Sequence, residues 1–151
     1  MLELHECYKR IKSCSIEPVL KVIDKLEFID SKGVCAWVSD PKVQAPKELI
    51  QLVRSLNLGG SYYRMFCRKL LAKQPILPHV DAHEWMTNIR RFHIPLTSSP
   101  SITMRWPNDN VEVYLEPGYL WEVRVDRLHE VINNSDIDRI HIQIDQRNAT
   151  I

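Results

Sequence analysis

An excess of either charge is the first thing missing from this 151-residue chain: twenty Lys and Arg stand against nineteen Asp and Glu, a formal net charge of +1. No Lys/Arg run stands out, so the electrostatic footprint of a nucleic-acid or anionic-membrane binder is absent. A small molecule or a protein is the expected partner. Long apolar runs are missing too, since no segment approaches the roughly 20 apolar residues of a membrane span. The opening Met-Leu-Glu-Leu-His-Glu-Cys has charge where a secretory leader needs an unbroken apolar stretch, which makes the expected location cytoplasmic. Cys7, Cys14, Cys35 and Cys67 lack C-x-x-C spacing. That argues against a zinc or redox site and for reduced, packed thiols. There is no repeat and no low-complexity tract, and the length suits one domain, residues 1–151.

What is present changes character near residue 60. Before it the pattern is helical. Pro18 suits a first helical position, with Val19, Leu20, Val22, Ile23 and Leu26 on one face. Pro46 opens a second stripe of Leu49, Ile50, Leu52, Val53 and Leu56, which Gly59-Gly60 should stop. Val34 to Val38 reads as a short strand between them. After Gly60, segments of period two are separated by Pro, Asn, Asp and Gly, the pattern of a sandwich or barrel. The expected strands are Tyr62–Leu71, Ile76–Asp81, Arg90–Leu96, Ile102–Trp106, Val111–Leu115, Tyr119–Val125, His129–Ile132 and Arg139–Asp145. The expectation is therefore a mainly β fold, with residues 1–60 as a helical cover and 61–147 as the core.

Two strands carry an unusual face. In Arg139-Ile140-His141-Ile142-Gln143-Ile144 the isoleucines point one way and Arg, His and Gln the other, because strand side chains alternate. The polar face implies a cavity, and the isoleucine face needs cover, which the apolar stripes of the N-terminal helices can supply. Arg91 and His93 repeat the pattern. Two basic faces lining one cup fit a bound anion.

His79-Val80-Asp81 and His129 are the candidate metal ligands. Residues two apart on a strand lie about 6.6 Å apart on one face, so His79 and Asp81 can converge, whereas His79 and His83, about 13 Å apart, need a bulge. Asp81 with His83 stays possible on spacing alone. Two imidazoles and one carboxylate can cap one face of an octahedral ferrous ion and leave three positions open, as in non-haem iron oxygenases. Arg139, ten residues after His129, offers a fork for the far carboxylate of an iron-chelating co-substrate. Charge counting agrees. Fe(II), one aspartate and a dianionic 2-oxoacid sum to −1, which one arginine neutralises. The tripeptide His-x-Asp is common, and His129, His93 or Arg91 alone would read as packing or salt-bridged residues. The combination carries the signal. Trp106 and Trp121 read as packing rather than a substrate cage, and Ala82 to Asn88 as one edge of the opening.

These motifs resemble the aspartyl/asparaginyl β-hydroxylase family of Fe(II)- and 2-oxoglutarate-dependent oxygenases, in particular the branch with the bacterial cis-proline hydroxylases. The similar text is Leu77-Pro78-His79-Val80-Asp81, Arg91-Phe92-His93-Ile94-Pro95-Leu96-Thr97, Leu115-Glu116-Pro117-Gly118, and His129 to Ser135 running into Asp138-Arg139-Ile140-His141. The resemblance implies a double-stranded β-helix, a jelly roll of cupin-like type, with helices on the outer face of one sheet. It implies His79, Asp81 and His129 as iron ligands, His79 being preferred over His83. It also implies Arg139 on the distal carboxylate of 2-oxoglutarate, helped by Arg91 and His93, with O2 as oxidant. The implied activity is hydroxylation of a C–H bond of an amino acid, free or within a peptide or protein. The runner-up is a catalytically silent metal-binding β-helix protein acting as a binding module. A zinc hydrolase would use the same ligands but leaves Arg139 unexplained.

Overall fold

The computed structural model describes residues 1–3, 5–26, 28–31, 35–37, 45–81 and 87–151, with backbone alone for 29–31 and 35–37. His83 and the ends of the expected strand at Val34 and Val38 lie outside the described residues. Strands β1 (Tyr8–Ser13), β2 (Ile29–Ser31) and β3 (Cys35–Trp37) precede the main run. That run is β4 (Ser61–Leu70), β5 (Pro75–His79), β6 (Ile89–Thr97), β7 (Ile102–Trp106), β8 (Val111–Val113), β9 (Tyr119–Val123), β10 (His129–Asn133) and β11 (Arg139–Arg147). Helices α1 (Glu17–Leu20) and α2 (Lys47–Ser55) lie before it.

From β4 to β11 the chain shuttles between two antiparallel sheets, ordered β1-β9-β6-β11-β4 and β5-β10-β7-β8. This is the double-stranded β-helix, and β2 with β3 forms a separate hairpin. The two faces of β11 divide as its alternation demands. Ile140, Ile142 and Ile144 join Phe92, Ile94 and Leu96 on the outer face, under Leu49, Leu52 and Val53 of α2 and Leu56 just after it. Between the sheets, Trp121, Val123 and Leu70 meet Ile102, Met104, Trp106 and Val131. Trp106 and Trp121 are buried and donate their indole N–H to the Arg124 and Glu116 carbonyls at 2.8 and 3.1 Å. Both are packing residues.

The N-terminal region departs from the helical expectation. The stripe from Val19 to Leu26 yields only the four residues of α1 and a 3-10 turn at Ile23–Lys25, and Val19 and Leu26 are its buried members. Pro18 and Glu17 favour the first turn of α1, but no side chain caps its start and Val22-Ile23 is β-branched, so the helix does not grow further. Tyr8–Ser13 is a strand at the sheet edge, paired with β9. Its Lys9, Arg10 and Lys12 are the charges that keep an exposed edge from pairing with another chain. The end of α2 also differs. Asn57, at φ 51°, is the left-handed residue that follows it. Gly60 serves another purpose, since a Cβ there would lie 2.0 Å from the Arg147 carbonyl oxygen.

Candidate metal centre and its cavity

β5 and β10 are neighbours in the smaller sheet, and their register sets His79 opposite His129. The pairing then slips: Val131 faces Ile76, so β5 spends three residues where β10 spends two. That bulge, at the exposed Leu77 and Pro78, lets Ile76 and His79 line the same cavity although they are an odd number apart. The strand ends there. The Asp81 amide donates to the Val125 carbonyl at 2.8 Å, which turns the Asp81 carboxylate back toward the two rings.

The ligand atoms of His79, Asp81 and His129 all lie within 4.8 Å of one another. Asp81 Oδ1 is 3.6 Å from His79 Nε2, and Oδ2 is 3.8 Å from His129 Nε2. Each ring is oriented by its own chain. His79 Nδ1 donates to the Leu77 carbonyl at 2.7 Å and His129 Nδ1 to the Arg127 carbonyl at 2.8 Å. A carbonyl oxygen only accepts, so Nδ1 carries a proton and Nε2 is the nitrogen turned toward Asp81. Burial holds the His129 pKa below the usual imidazole value, against the pull of its bond to Arg127. Burial would raise the Asp81 carboxyl, but Arg91 and His79 outweigh it and hold the pKa down. Two imidazoles with Nε2 turned toward one carboxylate are the donor set that a divalent cation takes.

The three residues open on a cavity of about 330 Å³ including its mouth, lined also by Arg68, Arg91, His93, Arg139 and Gln143. Arg139 and Gln143 are almost fully buried. Gln143 Nε2 has no hydrogen-bond partner among the described residues, so a buried donor without a partner stands in the lining of this cavity. The donor set and this cationic, donor-rich cavity fit Fe(II) and a dicarboxylate. All six sequence-derived site residues, His79, Asp81, His129, Arg139, Arg91 and His93, line it. Arg91 spends its fork within the protein: Nε and Nη2 reach Asp145 at 2.7 and 3.0 Å, and Nη1 is bonded to Asp81.

Gln143 stands on the polar face that alternation along β11 marks, whereas nothing in the sequence analysis points to Arg68 or Asp145. Arg64 and Arg68 share the inward face of β4, opposite Asp145 and His141 of β11. Alternation of Arg64 and Arg68 with Met65, Cys67 and Lys69 is the signal that marks them. Asp145 is fully buried and also accepts from Arg64 Nε at 2.5 Å.

Among solved structures, the viral collagen prolyl hydroxylase of Paramecium Bursaria Chlorella virus-1, determined as its 2OG complex, superimposes with a TM-score of 0.62 at 9% identity. The match covers 93% of this chain and 95% of that one. A Pseudomonas putida prolyl-4-hydroxylase gives 0.57 at 18% identity over 93% and 92% of the two chains. At such identities the likeness speaks for the fold. No curated protein sequence matches significantly. Family membership rests instead on the sequence pattern of residues 36–149, which matches "Aspartyl/Asparaginyl beta-hydroxylase" across the β-helix and its ligand-bearing strands. The chain belongs to the aspartyl/asparaginyl beta-hydroxylase family.

Proposed function

We propose that this protein is an Fe(II)- and 2-oxoglutarate-dependent dioxygenase that hydroxylates a C–H bond of an amino acid, free or within a peptide or protein. The observation that carries the reading is the convergence of His79, Asp81 and His129 in the same cavity as the buried Arg139. When bound, ferrous ion with 2-oxoglutarate and O2 supplies the oxidising power for hydroxylation, with succinate and CO2 as the other products.

The chain's own residues hold and orient. His79 and His129 offer Nε2, and Asp81 one carboxylate oxygen, which leaves half of an octahedral shell to other ligands. Arg139 supplies a fixed fork for the far carboxylate of the co-substrate, and Gln143 and His93 line the same wall. Met104, Val125 and Val131 form the apolar side and keep water away from the reacting C–H bond. No described helix is long and apolar enough to cross a membrane.

The test is spectroscopic and chemical. Anaerobic addition of Fe(II) and 2-oxoglutarate should raise a weak visible charge-transfer band, and His79→Ala, His129→Ala or Arg139→Ala should remove it. With O2 and candidate amino acids or peptides, a gain of one oxygen that requires 2-oxoglutarate should appear by mass spectrometry. No band with the native protein would overturn the reading. A band without succinate above a no-enzyme control, whatever the substrate, would make it a silent binding module.

A further inference from the structure

Arg91 sits at the centre of a buried chain of ion pairs. Its Nε and Nη2 clasp both oxygens of Asp145, at 2.7 and 3.0 Å, and its Nη1 is bonded to Asp81 Oδ2. Asp145 is itself tied to Arg64 Nε at 2.5 Å. Arg91 is 4% exposed and Asp145 0%, so neither end drifts into solvent. The register builds this arrangement: on β11, Asp145 has Arg91 of β6 on one side and Arg64 of β4 on the other. Three adjacent strands place the fork, and the fork faces a metal ligand.

We infer that Arg91 is a positioning residue for Asp81, held in place by Asp145, rather than a binding group for the co-substrate. By engaging Oδ2 it leaves Oδ1 as the oxygen free to ligate and stops the carboxylate from closing over the metal with both oxygens. The open positions that a chelating co-substrate needs are thereby kept open. The inference rests on the metal-binding reading of His79, Asp81 and His129.

A guanidinium acts on a carboxylate through geometry, a simple charge only through its field, and the two make opposite predictions here. Arg91 is a cation near a cation site, so if its charge alone mattered, Arg91→Gln would tighten metal binding. If its fork matters, the same variant loosens Asp81 and weakens metal binding, typically by about 10- to 100-fold for an outer partner of a ligand. Arg91→Lys keeps the charge but cannot span Asp81 and Asp145 together, so it should weaken binding nearly as much.

The experiment titrates Mn(II) into metal-free protein and reads free Mn(II) by electron paramagnetic resonance, for native protein, Arg91→Gln, Arg91→Lys and Arg64→Gln. Arg64 is partly exposed, so its variant loosens Asp145 with little risk to folding; far-UV circular dichroism checks each protein. Calorimetry then gives 2-oxoglutarate affinity at saturating Mn(II). The expected result is weaker Mn(II) binding in both Arg91 variants, a smaller loss in Arg64→Gln, and 2-oxoglutarate affinity within about threefold of native once metal is saturating. Should Arg91→Gln fail to fold, Arg91→Lys and Arg64→Gln carry the comparison. Unchanged or tighter Mn(II) binding in the Arg91 variants overturns the inference, as does a tenfold or larger loss confined to 2-oxoglutarate. Failure of the native protein to bind Mn(II) overturns the metal reading instead.

Discussion

His93 and His141 meet edge to face inside the barrel with their Nδ1 atoms 3.1 Å apart. Burial, reinforced by Arg139, holds both rings well below the usual imidazole pKa, so both are neutral and only one Nδ1 carries the shared proton. The other end of His141 decides which. Its Nε2 is buried with no partner among the described residues, on a wall shared with Ile102, Met104 and Leu115. An orphaned N–H is the costlier state there, so Nε2 is bare and His141 Nδ1–H donates to His93 Nδ1. His93 then carries its proton on Nε2, as a donor in the cavity it lines.

His141→Leu removes the donor that sets this tautomer, while His141→Asn keeps an amide N–H near the old Nδ1. The expected outcome is 2-oxoglutarate binding weakened roughly five- to tenfold by leucine, the worth of one hydrogen bond, and largely kept by asparagine. Nitrogen-15 spectra of the metal-free protein should show His93 protonated on Nε2. Protonation on Nδ1 would refute the assignment.

The same pair makes stability fall in acid. Folded, the rings stay neutral below 6.5, the ordinary imidazole value; unfolded, they take up protons there. The unfolded chain then binds more protons, so stability is unaffected by this pair above 6.5 and declines as the pH drops through it. Melting temperatures of metal-free protein at about pH 7.5 and 5.5 check this, and His141→Asn should flatten the decline. An unchanged slope in that variant would place the acid sensitivity elsewhere.

Local patterns were legible and pairings were not. The split of Arg139, His141 and Gln143 from Ile140, Ile142 and Ile144 follows from alternation alone, and it foretold both the polar cavity and the helix-covered face. The partners of Arg91 were hidden, because Asp145 lies 54 residues away and meets it only through the β6–β11 register. Strand β1 was illegible for a different reason: an edge strand buries little, and Lys9-Arg10 next to Ile11-Lys12 shows no clean alternation.

The isoleucine face of β11 is stabilised by the helix that covers it. Leu49 is 1% exposed and packs in the cluster that holds Ile142 and Ile144. Leu49→Ala should cost about 2–5 kcal/mol, as for other buried leucines. Denaturant unfolding measures it. A loss under about 1 kcal/mol would show that α2 adds little to the sheet it covers.

The bulge at Leu77-Pro78 aims the first ligand, and it does so independently of the core. Leu77 is 71% exposed and Pro78 is also exposed, so neither contributes much burial. Deleting Leu77 leaves Ile76 and His79 two positions apart, and unbroken alternation then keeps both facing the cavity without a bulge. The expected product is a folded protein, with a melting temperature within a few degrees of native, that still retains Mn(II). Loss of Mn(II) from a folded product would mean that the bulge itself, rather than the side of the strand on which His79 stands, sets the ligand geometry.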